Sequence, residues 1–157
     1  MKVVLDSSCI IILSQIEKMD ILEMLFSEIF VPEAVFKEFM VKASGTEDER
    51  KFREIIKIAK VKDFLAVMTL QTDLGKGESE CIVLAKEINA DFIVLDDKDA
   101  RKIAEFLGLN VIGTLGILVM AHKKGVIQNV KSVIDRMREE NFWMDNKVYE
   151  RVFKEIK

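Results

Sequence analysis

The chain is poor in the residues that break, staple or redox-couple a fold. Of its 157 residues one is proline, seven are glycine, two are cysteine and one is histidine. So little proline and glycine excludes a Pro-rich or Gly-rich linker and any low-complexity segment. Cys9 and Cys81 lie far apart inside apolar patterns. That spacing fits neither a disulfide framework nor a zinc knuckle, and it predicts a reduced, cytoplasmic protein. The single histidine, His122, sits in a Lys-rich helix end and reads as a solvated side chain, leaving no His/Cys metal site. Long apolar runs are also missing. None exceeds the length of Cys9 to Leu13, which is far too short to cross a membrane and follows Asp6, so no membrane segment or signal peptide is expected. Nor does one sign of charge dominate: Lys+Arg at 24 against Asp+Glu at 27 gives −3. A generally basic nucleic-acid coat protein is thereby excluded.

What remains is an ordinary globular composition, 50% apolar and 32% charged with both signs mixed. The length suits one domain, residues 1–157, able to bury a core without disulfides or metal. Val3-Val4-Leu5 forms a short β-branched run ending at Asp6, and Ser7 or Ser8 can cap the helix that follows. Asp20 looks like the cap of a second helix. Ile29-Phe30-Val31 reads as a brief extended piece, and Pro32 suits the first turn of a helix bearing Val35, Phe36 and Phe39. Thr46 with Glu49 resembles a capping box for a charged helix reaching about Ala59. Val61 to Thr72 is ambiguous between strand and turn. Gly75 and Gly77 open a strong helix with Cys81, Leu84, Ala85 and Ile88 at helical spacing. Phe92 to Leu95 is the best strand, a continuous apolar run of the kind buried parallel sheets use. A helix from Ala100 to Leu107 and a strand at Asn110 to Ile112 follow. Helices then cover about 115–124, 130–139 and 146–156. The strand–helix–strand unit from Phe92 to Ile112 requires a right-handed parallel crossover, so the fold class is α/β.

In open parallel sheets, ligands bind beyond the carboxyl ends of the strands. Two strands here run into carboxylates, Leu5 into Asp6 and Leu95 into Asp96-Asp97. Each acid could simply cap the next helix, but two on one sheet edge point to a shared acidic site. Glu38 follows Val35 by three residues on its helix, where a surface Glu is the ordinary explanation. Glu78 and Glu80 open the helix after Gly77, both drawn to the positive end of its dipole. They cannot share one face; phase favours Glu78, which aligns with Ile82 and Ala85. Carboxylates crowded in one cleft need protonation or a cation, and an all-oxygen ligand set selects Mg²⁺ or Mn²⁺.

The motifs Val-Val-Leu-Asp6-Ser-Ser, Val31-Pro32-Glu-Ala-Val-Phe-Lys-Glu38, Gly77-Glu78-Ser-Glu80 and Val94-Leu95-Asp96-Asp97-Lys-Asp99-Ala-Arg101 occur in the order of a PIN domain. The chain resembles the PIN-fold ribonucleases, and among them prokaryotic VapC-like proteins with a Gly-Glu third motif. The match covers residues 1–125, where Gly113-Thr114-Leu115-Gly116, Ala121 and Gly125 resemble the tail of one such subgroup. The C-terminal helices, 126–157, are less diagnostic. The resemblance implies a three-layer α/β/α fold around a central parallel sheet. It makes Asp6 the first acid, Glu38 the second, Glu78 or Glu80 the third, and Asp97 the fourth. Asp99 matches a frequent additional acid and Ser8 a common polar residue near the first. Two residues depart from the pattern: the third acid is Glu rather than Asp, and Leu95 replaces a threonine before the fourth.

The activity so implied is Mg²⁺- or Mn²⁺-dependent hydrolysis of RNA. The resemblance further implies toxin–antitoxin pairing, an antitoxin partner and homodimerisation. Apolar residues from Met19 to Phe30 could serve an antitoxin, or equally the core. Lys98 and Arg101, with Lys102, stand beside the fourth acid as candidates to grip the RNA backbone. Arg50, Lys51, Arg53, Lys57 and Lys60 form a second basic group, for which a salt-bridged solvated face is the simpler reading. A receiver-like domain would need a lysine after a late strand, where Gly113-Thr114 stands, and a haloacid-dehalogenase-type phosphatase a second Asp at Ser8. The more serious rival is a catalytically weak PIN-fold protein that acts by binding RNA or a partner.

Overall fold

The central strand β1 (Lys2–Leu5) places Val3, Val4 and Leu5 at 0% exposure. Consecutive strand residues point to opposite faces, so three buried in a row means that both faces are covered. A computed structural model describes residues 1–156; Lys157, the end of the single domain read from the sequence, lies outside the described residues. Beside β1 run β2 (Glu28–Pro32) on one side and β4 (Phe92–Val94) on the other. β3 (Lys57–Ala59) and β5 (Val111–Ile112) form the edges. The order is β3-β2-β1-β4-β5 and every neighbouring pair is parallel. The α/β parallel architecture is therefore the one expected. A receiver-like order is excluded, because that order would put β3 and not β4 beside β1.

Helices flank the sheet. α1 (Ser7–Gln15) and α2 (Asp20–Leu25) connect β1 to β2; α3 (Glu33–Ala43) and α4 (Glu47–Ile55) connect β2 to β3. α5 (Phe64–Leu70) and α6 (Lys76–Glu87) lead to β4, and α7 (Lys98–Phe106) leads to β5. α8 (Thr114–Lys123), α9 (Val130–Glu139) and α10 (Asn146–Glu155) complete the described chain. α6 lies against β1, β2 and β4, while α3 packs on β2, β3 and α6. Because all strands run one way, Asp6, Pro32 and Leu95 emerge at the same sheet edge. The reversal of direction, from β1-β2-β3 to β4-β5, falls between β1 and β4, where such sheets open a crevice.

Several local expectations are corrected. The helix read as reaching Ala59 stops at Ile55, and Lys57–Ala59 pairs with β2 as an edge strand. Its three residues are too few, and too polar at Lys57, to stand out from the charged helix before it. Val61–Thr72 contains α5, capped by Asp63, whose carboxylate accepts from the Ala66 amide at 3.0 Å. α2 begins after Met19, and Asp20 lies inside its first turn rather than capping it. Thr46 does occupy the cap position of α4, but its hydroxyl donates to Ala43 O at 2.5 Å, so there is no capping box. His122 is half-buried and its Nδ1 lies 3.1 Å from Ile127 O; it ties the turn after α8 instead of being solvated. From Met19 to Phe30, six apolar side chains (Met19, Ile21, Leu22, Leu25, Phe26 and Ile29) are core, which leaves Met24 as the exposed one.

Candidate functional site

Asp6 leaves β1 in extended conformation and its Oδ1 accepts from the Ser7 amide at 2.8 Å. It is thus the cap of α1, the role expected of Ser7 or Ser8. The two serines are released for contacts across the sheet edge. Ser7 Oγ donates to Glu38 Oε2 at 2.5 Å, and Ser8 Oγ donates to Asp96 Oδ2 at 2.9 Å. Elements β1–α1, α3 and the end of β4 are joined through these bonds.

Glu38 is solvent-exposed at its outer side and lies against the first turn of α6. A Cβ on Gly77 would come within 2.8 Å of Glu38 Oε1, so this glycine makes room for the carboxylate. Asp97 is exposed and caps α7, with Oδ2 accepting from the Ala100 amide at 2.9 Å. Asp6, Glu78 and Asp97 therefore each sit at the amino-terminal end of a helix, whose dipole offsets part of their charge.

The offset is incomplete. Burial pushes the Asp6 pKa up to about 7; the Ser7 amide opposes this, and Glu78, Glu38 and Asp96 add to the rise. Glu78 is also raised, first by burial and then by Asp97, Glu38 and Asp99. These shifts link Asp6, Glu38, Glu78, Asp96, Asp97 and Asp99 into one field of mutual repulsion.

The two candidate third acids part company. α6 is capped at Gly75, not Gly77, so the capping-box position belongs to Glu78, whose Oε1 lies over Gly75. Glu80 is 9% exposed and turned away, and its Oε1 accepts from the Ala34 amide at 3.3 Å in the first turn of α3. Although Glu80 lies near the start of α6, the helix it caps is α3.

Asp96, which the sequence marks only as a strand-end acid beside Asp97, and Thr114, given no role there, are bonded to each other at the site. Asp96 Oδ1 accepts from the Thr114 amide at 2.8 Å, and Oδ2 accepts from Thr114 Oγ1 at 2.5 Å. Sheet register brings this pair together. Val94 pairs with Ile112, and Asp96 and Thr114 each lie two residues beyond that pair. Arg101 is half-buried; its Nη1 donates to Leu95 O at 3.2 Å and lies against Gly113, close to Asp96. Lys98 and Lys102 are exposed on the same helix. Three of the five in the second basic group are engaged elsewhere. Arg50 pairs with Glu47 and Glu54, Arg53 lies 3.9 Å from Glu49, and Lys57, on β3 rather than a helix, lies 3.6 Å from Glu28.

Among the described residues, no group of three or more His, Cys, Asp or Glu side chains stands close enough together to hold one metal ion. The chemistry of the donor set still suits a hard divalent cation, being all carboxylate with its charge uncompensated at Asp6. No described helix is long and apolar enough to cross a membrane.

Comparison with known proteins agrees with this geometry. A solved PilT N-terminus domain protein from the hyperthermophilic archaeon Sulfolobus solfataricus P2 superimposes with a TM-score of 0.51 at 21% identity, covering 82% of this chain and 96% of that one. No curated protein matches. The family DUF3368, described as PIN domain, matches residues 2–157, a nuclease-type fold. With its parallel β3-β2-β1-β4-β5 sheet and its acids at the β1 and β4 ends, the chain belongs to this PIN domain family.

Proposed function

We propose that this PIN-domain chain is a divalent-cation-dependent endoribonuclease of the VapC-like kind. The observation that carries the reading is the buried strand-end Asp6, held near neutral pKa by burial and surrounded by Glu38, Glu78 and Asp96. A cation is the compensation such a site calls for. Asp6, Glu38, Glu78 and Asp97 would hold Mg²⁺ or Mn²⁺, with Asp99 beside them and Glu80 serving as the anchor of α3. When bound, the ion supplies Lewis-acid charge at the scissile phosphodiester and acidifies water there. The chain's own part is positional. Ser7 holds the Glu38 carboxylate, Asp6 accepts from its own helix, and Lys98 and Arg101 draw the phosphate backbone toward a site whose carboxylates would otherwise repel it.

The same resemblance supports a cytoplasmic toxin that forms a homodimer and is silenced by an antitoxin protein. A second reading, an RNA- or partner-binding protein with weak catalysis, is favoured by the absence of a ligand-spaced carboxylate triple among the described residues and by the cap that occupies Asp97. Mn²⁺ titration by calorimetry, run beside cleavage of structured and unstructured RNA, separates the two. The proposal expects metal-dependent cleavage by the parent and its loss in Asp6→Asn and Asp97→Asn, both folded. Cleavage at the parent rate by both variants under matched Mn²⁺ sinks the catalytic assignment. Mn²⁺-independent RNA binding without cleavage favours the second reading.

A further inference from the structure

We infer that the cavity between α1 and α3 is a nucleobase subsite, which takes one base of a single-stranded RNA whose backbone passes Glu38. This rests on the nuclease reading above and adds to it a place where the RNA sequence is read. The cavity holds about 260 Å³, and Ile11 of α1 with Phe39 and Ala43 of α3 gives it apolar walls. That is just under the roughly 300–1,000 Å³ of drug-sized ligand sites, a fit for one planar ring system. The Phe39 ring is itself stacked on Phe52 at 4.8 Å, so this wall is fixed rather than free to collapse inward. Ser14 and Ala43, both small, leave the space open.

Ser14 gives the cavity an unspent hydrogen-bonding group. Among the described residues, six polar or charged ones are buried: Asp6, Ser7, Ser14, Ser79, Glu80 and Thr114. Five of them have hydrogen-bonded side chains. Ser14, at 8% exposure, has no partner among the described residues, and its oxygen is not sealed in protein, so the hydroxyl is presented to the cavity it lines. A helical serine ordinarily donates to the carbonyl four residues back, as Ser79 does to Gly75 O at 2.8 Å. A hydroxyl so buried and left unpaired costs stability that a bound polar group returns. What borders the cavity selects that group. Glu38 lines it and belongs to the acidic field around Asp6, so the cavity opens beside the place proposed for the scissile phosphodiester. Ser14 and Gln15 offer donors and acceptors, as a base edge requires, and half-buried Asp48 accepts from an exocyclic amino group. Ile11 and Phe39 supply a surface for the ring face. Lys42 is exposed at the rim and pairs with no carboxylate among the described residues, which leaves its charge for the flanking phosphate.

The test is anisotropy of a labelled, mixed-sequence single-stranded RNA on the full chain in the Asp6→Asn background, read against salt, with melting and circular dichroism as checks on folding. Ser14→Leu fills the cavity from within α1 and should weaken RNA binding by about tenfold, the loss of one well-held base. Its salt slope should stay that of the background, because no phosphate contact is removed. Ser14→Ala removes the hydroxyl alone and should weaken binding by about threefold, while melting at or above the background because no internal bond is lost. Background-like RNA affinity in a folded Ser14→Leu, or in Ser14→Ala should the first fail to fold, overturns the inference; a cavity reserved for a protein side chain would give that result. So does a loss accompanied by a salt slope lowered by about 1, since a phosphate contact would then be its cause. If the Asp6→Asn protein binds no RNA, the nuclease reading and this inference fall together. RNA binding that Lys98→Ala weakens and both Ser14 variants leave unchanged overturns the subsite alone.

Discussion

Asp6 ends the central strand at 7% exposure, with three carboxylates around it and a pKa lifted from 3.8 to about 7. The consequence for stability has a definite sign. As pH rises past 3.8 the unfolded chain releases this proton while the metal-free folded chain keeps it, so stability declines until about pH 7 and then levels. Converted at 1.36 kcal/mol for each pH unit, that rise sets an upper bound of about 4 kcal/mol. Asp6→Asn removes the titration and the repulsion together. Metal-free Asp6→Asn should therefore melt at or above the parent temperature near neutral pH and show a flatter pH dependence between about pH 4 and pH 7. Melting curves of both proteins in chelator across that range check this. An identical slope in the variant would mean that Asp6 carries no such penalty.

At the scale of elements, α3 and α6 are tied by a carboxylate that looks catalytic in the sequence. Pro32, at the cap of α3, offers no side-chain acceptor, and Glu80 of α6 reaches the Ala34 amide instead. Removing that acceptor with Glu80→Ala should cost about 1 kcal/mol, as losing a helix cap does, and speed hydrogen exchange at Ala34. Glu80→Gln keeps an acceptor oxygen and should change both less. Glu78→Gln should do the reverse, weakening Mn²⁺ binding while leaving stability unchanged or raised, because it removes a charge that burial and neighbouring acids already oppose. Calorimetry and melting on Glu78→Gln and Glu80→Gln decide between them. Loss of Mn²⁺ in Glu80→Gln with retention in Glu78→Gln would make Glu80 the third acid after all.

Across the whole molecule the charge is slightly negative, so any grip on RNA must come from cations that are not already paired with acids. α4, with Arg50, Lys51 and Arg53, is the poorer candidate, because Arg50 is held by Glu47 and Glu54 and Arg53 stands over the Phe36 ring. α7 presents Lys98, Arg101 and Lys102 beside the acids, and none of the three pairs with a carboxylate among the described residues. Binding of a labelled single-stranded RNA, measured by anisotropy in the Asp6→Asn background against salt, should weaken for Lys98→Ala and Arg101→Ala. Each should lower the salt slope by about 1, the loss of one phosphate contact. Arg50→Ala should bind as the background does; the opposite ranking would move the RNA path to α4.

The sequence by itself determined the parallel α/β class and the strand ends that carry acid. Those features are local: a β-branched run closed by Asp6, an apolar run closed by Asp96-Asp97, and helices of clear period between them. Helix phase leaned toward Glu78, by putting it in line with Ile82 and Ala85, yet in the fold Glu80 is the more buried of the two. Only the tertiary structure decided what the other carboxylates do. Which of Asp96 and Asp97 turns inward depends on Thr114 and Ser8, and what Glu80 caps depends on a helix 46 residues earlier in the chain. The edge strand β3 was hidden for the same reason, because Lys57–Ala59 becomes a strand by pairing with Phe30, Val31 and Pro32 rather than by any pattern of its own. Periodicity records which face of an element is buried; hydrogen-bond partners brought together from distant segments leave no such trace until the chain has folded.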